Sequence, residues 1–132
     1  MNAVSPFRPA LFAAVGLTGL FLLFGCGEDE PITITITDKK TWRSPNECLV
    51  RTEIQNGADA QIKYIQFRLV SDGQTSAGNA MSYIQVDTAK HMNLNFERLP
   101  CSRVGSDPEI KVDSCVLRDE RDCTRLVANR AP

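Results

Sequence analysis

This chain of 132 residues is poor in histidine, tryptophan and tyrosine, with one, one and two respectively. A single His91 cannot build the histidine cluster that holds a catalytic zinc. No stretch matches a glycine-rich phosphate loop or a calcium-binding loop, and no nucleophile elbow surrounds any serine. Neither sign of charge is in excess, since 15 Lys and Arg face 16 Asp and Glu for a formal net charge of −1. The basic residues are scattered, so the chain has no electrostatic reason to bind nucleic acid. No segment carries a sustained helical period. The one long apolar run, Ala10 to Phe24, is shorter than the ~20 residues that a membrane-spanning helix needs.

What is present begins with that run. Met1 to Pro9 is short, polar and made positive by Arg8, and the uncharged stretch Ala10 to Phe24 follows it directly. A positive segment before a short apolar one reads as a secretory signal. The run ends in Leu23-Phe24-Gly25-Cys26, which resembles the lipobox of bacterial lipoproteins: an aliphatic residue, a variable one, a small one, then cysteine. Phe24 is bulkier than usual at its place. The resemblance implies that the Cys26 thiol takes a diacylglyceryl group, that lipoprotein signal peptidase cuts before Cys26, and that the new amino group is acylated. Several buried acyl chains make a stable anchor, where one is marginal. By the same resemblance, Gly27 stands where an Asp retains lipoproteins in the inner membrane of enteric bacteria. Its presence favours a periplasm-facing position on the outer membrane.

The chain then divides into a signal peptide over 1–25, the lipidated Cys26 with a short acidic tether over 26–31, and a domain over 32–132. The tether, Glu28-Asp29-Glu30-Pro31, is too polar to pack and is read as a solvated spacer rather than a cation site. Because Arg8 is the one charged side chain of the signal, the mature protein carries a formal −2. At 107 residues it can bury a modest core.

Cys26 apart, four cysteines remain: Cys48, Cys101, Cys115 and Cys123. An even number in an exported domain suggests two disulfides in an oxidising compartment, with three possible pairings. The alternative, a four-thiolate zinc site, usually draws on close pairs two to four residues apart. Here the nearest pair, Cys115 and Cys123, has seven residues between its members. No metal and no cofactor is expected.

The mature chain reads as strands. Thr and Ile alternate from Ile32 to Thr37, a period-two pattern of β-branched residues closed by Asp38-Lys39-Lys40. Ser44-Pro45-Asn46 reads as a turn. Glu47 to Gln55 places Cys48, Val50, Thr52 and Ile54 on one face, taken as the core face. Asn56-Gly57 is a turn signal. Gln61 to Val70 follows with Ile65, Phe67 and Leu69 inward and Lys63 at the head of that face. Ser71 to Asn79 reads as a flexible surface loop. Met81 to Val86 and the alternation of Met92, Leu94 and Phe96 give two more strands. Glu109 to Leu117 is a sixth, with Ile110, Val112 and Val116 sharing a face and Cys115 opposite them. Cys123 to Val127 is a short seventh, and Ala128 to Pro132 is expected to fray.

About seven short strands point to an all-β, antiparallel β-sandwich. The spacing, with Cys48 on a core face and Cys101 late in the chain, resembles the immunoglobulin-like and fibronectin-type-III-like domains of exported bacterial proteins. Trp42 precedes Cys48 rather than following it, and Leu99 stands where an immunoglobulin tyrosine would, so the likeness is one of architecture. A Cys48–Cys101 bridge across the core is expected. A peripheral Cys115–Cys123 bridge is expected to staple the charged turn Arg118 to Asp122.

For function, the expected role is a non-catalytic binding or assembly module. It would be held to the bilayer by the acyl chains on Cys26, with another envelope component, a protein or a cell-envelope polymer, as partner. The alternative is a small envelope hydrolase using His91 and nearby acids, with Ser76, Ser82 or Thr88 as the hydroxyl in reach. Trp42, Tyr64 and Tyr83 could stack on a sugar or a peptide. Packing explains most such aromatics. If the fold placed His91 in a pocket beside an acid and a hydroxyl, the hydrolase would gain; a bare edge or flat apolar patch would favour binding.

Overall fold

A computed structural model describes residues 30–132; the signal peptide and Cys26 lie outside the described residues. Alternating β-branched and polar residues build seven strands: β1 (Ile32–Trp42), β2 (Ser44–Asn56), β3 (Ile62–Ser71), β4 (Gln74–Thr75), β5 (Asn79–Ile84), β6 (Thr88–Phe96) and β7 (Glu109–Leu117). They form two antiparallel sheets, so the domain is an all-β sandwich as the strand pattern predicts. One sheet has the order β1-β2-β6. In the other, β3 is the hub, pairing with β7 as well as with β5 and β4.

The core lies between the sheets. Ile32, Val50, Ile54, Ile65, Phe67, Leu94, Phe96 and Leu117 are buried. The inward faces of β2, β3 and β6 are the expected ones. Thr52 is buried among them, and its hydroxyl donates to the Met92 carbonyl at 2.8 Å, so its polar atom is not orphaned.

Several expectations are corrected. Lys63 does not head the inward face of β3. A register shift against β7 between Ile62 and Tyr64 makes a bulge there, so Ile62 and Ile65 both point inward and Lys63 is exposed. A second bulge, between Gln66 and Phe67 opposite Val112 to Ser114, reverses the parity of β7. Cys115 and Leu117 therefore face the core and Val116 does not. One extra residue flips every later side chain to the other face.

The first strand runs on through Lys39 and Lys40 to Trp42, and the turn expected at Ser44-Pro45-Asn46 is the start of β2. The chain reverses at Arg43, with Trp42 opposite Ser44 and φ of 57° at Arg43. Ser71 to Asn79 is a built segment. Gln74–Thr75 pairs with the end of β3, and the buried Ser76 hydroxyl accepts from Leu69 N–H at 2.9 Å and donates to the Ala77 carbonyl. Cys123 to Val127 is no strand; Thr124–Leu126 forms a 3-10 turn.

Nor does the C-terminal tail fray. Ala128 N–H donates to the Ile32 carbonyl, Ile110 N–H to the Asn129 carbonyl, and Ala131 N–H to the Ile110 carbonyl, at 2.9, 2.8 and 2.7 Å. The tail so joins the outer edge of β1 to that of β7. It covers two strand edges that would otherwise expose unpaired backbone.

Both expected disulfides are present. Cys115 and Cys123 have Cα atoms 5.0 Å apart across the turn at Glu120. The bridge is not peripheral, because both cysteines are buried in the core. Cys48 pairs with Cys101, with Cα atoms 4.9 Å apart. It does not cross between the sheets: it ties β2 to the short 3-10 turn Cys101–Arg103 that follows β6, a neighbour in the same sheet. All four cysteines are thus used as disulfides.

Candidate functional site

The two ends of the sandwich differ in chemistry, and β1 spans between them. The eleven residues of β1, ten steps of about 3.3 Å, separate Ile32 from Trp42 by roughly 33 Å. Glu30, the first described residue, therefore marks one end, and the β1–β2 turn marks the other.

At the Glu30 end, loops are tied to one another by backbone bonds. Gly57 N–H donates to the Pro31 carbonyl at 2.9 Å, Asp87 N–H to the Asn56 carbonyl at 2.8 Å, and Arg118 N–H to the Gln61 carbonyl at 2.8 Å. Asn56 organises this end. Its buried side chain donates to the Ala60 and Ile84 carbonyls at 3.1 and 3.0 Å and accepts from Ala58 N–H at 3.0 Å. Gly57 is there because of closeness: a Cβ at this position would stand 2.7 Å from the Pro31 carbonyl oxygen.

The charges at this end are largely self-paired. Arg121 bonds Asp59 at 2.7 Å and Asp119 at 2.6 Å, Lys63 pairs with Glu120, and Arg130 reaches Glu30 at 3.4 Å. The hydrogen bond and charge of Arg121 hold the Asp59 carboxyl below its usual range. Backbone donation from Thr124 does the same for Asp122. A shallow cleft of about 530 Å³ runs between Glu30, Asp59, Arg121 and Leu126. A second, of about 500 Å³, is lined by Gln61, Val86 and Arg118.

At the far end, β1 and β2 continue past the sheet. β6 pairs with β2 only from Cys48 to Asn56, whereas β1 and β2 stay paired out to Trp42 and Ser44. The tip presents Trp42, 37% exposed, with the Arg43 guanidinium 5.8 Å from its ring centroid. The tip is braced at its base by the Cys48–Cys101 bridge and by Lys39, whose ammonium donates to the Val104 carbonyl at 2.9 Å. Beside that base, a polar cleft of about 300 Å³ lies between Thr75, Ser76, Phe96, Glu97 and Arg98.

His91 is a strand residue. It stands within β6, opposite Glu53 of β2, with Nε2 3.1 Å from the Glu53 carboxylate. Of the three expected hydroxyls, that of Ser76 is engaged with Leu69 and Ala77 and that of Thr88 donates to the Gln85 carbonyl at 2.8 Å. His91 lines none of the clefts described above. Of the three aromatics, Tyr64 is half-buried and bonds Gln66, while Trp42 and Tyr83 are exposed. Nothing in a single sequence separates those two from packing aromatics, because exposure depends on where the sheet stops. No protein-family model, no curated protein and no solved structure matches this chain.

Proposed function

We propose that the chain is a lipoprotein of the bacterial cell envelope. Residues 1–25 are its export signal, Cys26 carries the lipid, and the β-sandwich is a non-catalytic binding or assembly module for another envelope protein. The lipobox-like Leu23-Phe24-Gly25-Cys26 supports the address. The outer membrane is the favoured home because Gly27, not Asp, follows the cysteine. The observation that carries the binding role is the braced hairpin tip. Tryptophan and arginine are the residue types most enriched in interface hot spots, and here the two stack on each other at the end of a strand pair that has left its sheet. A rigid support lowers the ordering cost of binding.

Two measurements on the full-length protein in its own envelope test this reading. Mass spectrometry should find a diacylglyceryl group on Cys26 and none in Cys26→Ser, which should remain largely unprocessed. A photoreactive amino acid in place of the exposed neighbour Thr41 should crosslink to one defined envelope protein, and Trp42→Ala should abolish that adduct. Trp42→Ala should leave the fold intact, because the ring lies outside the core cluster. A crosslink indifferent to Trp42→Ala would remove the tip from the interface.

A further inference from the structure

Three large apolar or aromatic side chains are exposed among the described residues: Trp42 at the far tip, Tyr83 near the end of β5, and Val86 in the turn that follows it. The last two lie at the Glu30 end. Ile32, Asn56 and Thr88 stand side by side across β1, β2 and β6, so the start of β6 is about 10 Å from the start of β1 at the usual strand spacing. Only three residues lie between Cys26 and Glu30, which makes four Cα-to-Cα steps. Even fully extended they span about 14 Å. A lipid on Cys26 therefore holds this end of the sandwich against the headgroups, with no tether long enough to turn it away.

We propose that the β5–β6 turn is a second membrane contact, in which Tyr83 and Val86 enter the headgroup region of the bilayer that holds the Cys26 acyl chains; this rests on the lipoprotein reading. Tyr83 is 62% exposed and has φ of 59°. A left-handed backbone is uncommon for a bulky residue and costs about 1–3 kcal/mol, and the partner position on β3 is the bulged Lys63. The ring is so held out from the sheet, at a position where an aromatic with one polar end suits a membrane interface. Val86 is 38% exposed beside Arg118. No carboxylate among the described residues pairs with the Arg118 guanidinium. Lys90 donates to the Ser82 carbonyl, and Lys63 pairs with Glu120. With Asp87 and Asp119 also near, cations and anions balance, so the contact is apolar and aromatic in origin and needs no anionic lipid.

The chain has a single tryptophan, which makes the test direct. The lipidated full-length protein is reconstituted into phosphatidylcholine vesicles whose acyl chains are brominated near the headgroup. In the unaltered protein the one indole, Trp42, reports the far tip and should be quenched no more than in the unlipidated protein. In the Trp42→Phe background, Tyr83→Trp should give emission shifted to shorter wavelength and quenched by bromine, and Val86→Trp is a second reporter should the first perturb the bulge. Lipid on Cys26 with both reporters unquenched overturns this inference alone. A shifted emission without quenching places a protein or a second copy on the turn and also overturns it. Absence of lipid on Cys26 overturns the anchor reading and this inference with it.

Discussion

Asn56 shows how much one side chain settles here. Read in the sequence as the start of a turn, it continues the core face of β2, where it is buried and its amide serves three backbone groups at once. Asn56→Ala leaves two carbonyls and one N–H short of a partner. At about 1–3 kcal/mol for a buried orphan group, with relaxation letting water reach some of them, we expect a loss of about 3 kcal/mol in denaturant unfolding and faster amide exchange at Ala58. Two carboxyls nearby set a pH dependence. Asp59 and Asp122 both have folded values lowered from the ordinary one. A lowered value means that the folded form binds the proton less readily than the unfolded one. Their stabilisation is then full above about pH 4 and lost as pH falls through the folded value. The Thr124 amide, which donates to Asp122 at 2.7 Å, should shift upfield in an NMR titration below about pH 4, and Asp122→Asn should flatten that curve.

At the scale of elements, bulges decide what faces the core. The second bulge in the β3–β7 pair turns Cys115 inward, so its bridge to Cys123 belongs to the core rather than to a surface staple. Closing so short a loop, with a sequence separation of 8, is worth about 2.5 kcal/mol in the chain-entropy model. The pair Cys115→Ala with Cys123→Ala should lose about that much. The Ser pair should lose about 2 kcal/mol more, because two hydroxyls are then placed at buried positions. Equal melting of the Ala and Ser pairs would place the bridge at the surface after all. The hairpin of β1 and β2 illustrates the opposite case. Its outer half is exposed on both faces, so its register is held by ladder bonds and the nearby disulfide, not by burial.

On the scale of the whole molecule, the sandwich is closed at one side by its own C-terminus. The three backbone bonds that join the tail to Ile32 and Ile110 span the gap between the edges of β1 and β7. Deleting residues 128–132 removes them. At about 1 kcal/mol per net hydrogen bond, stability should fall by about 3 kcal/mol, and the freed edges should make the variant associate at high concentration. Denaturant unfolding checks the first outcome and sedimentation the second, and a monomer of unchanged stability would show the tail to be dispensable. The molecule so read has a loop end tied to Glu30 and a braced tip roughly 33 Å away along β1.

The local pattern by itself determined the all-β class and the strand faces of β2 and β6, because a period of two in β-branched residues is a property of neighbouring residues; of the three pairings open to four cysteines, the fold selects one. Only the tertiary structure decided the rest. The bulges at Lys63 and near Asp113 exist because strands of unequal registry must pair, and each reverses the alternation that the sequence shows. The tail and the segment from Ser71 to Asn79 look loose in the sequence, yet they are ordered by backbone bonds to strands distant along the chain. Trp42 and Tyr83 read like any packing aromatic. They are exposed because one lies where the hairpin outruns its sheet and the other where a bulge turns the backbone.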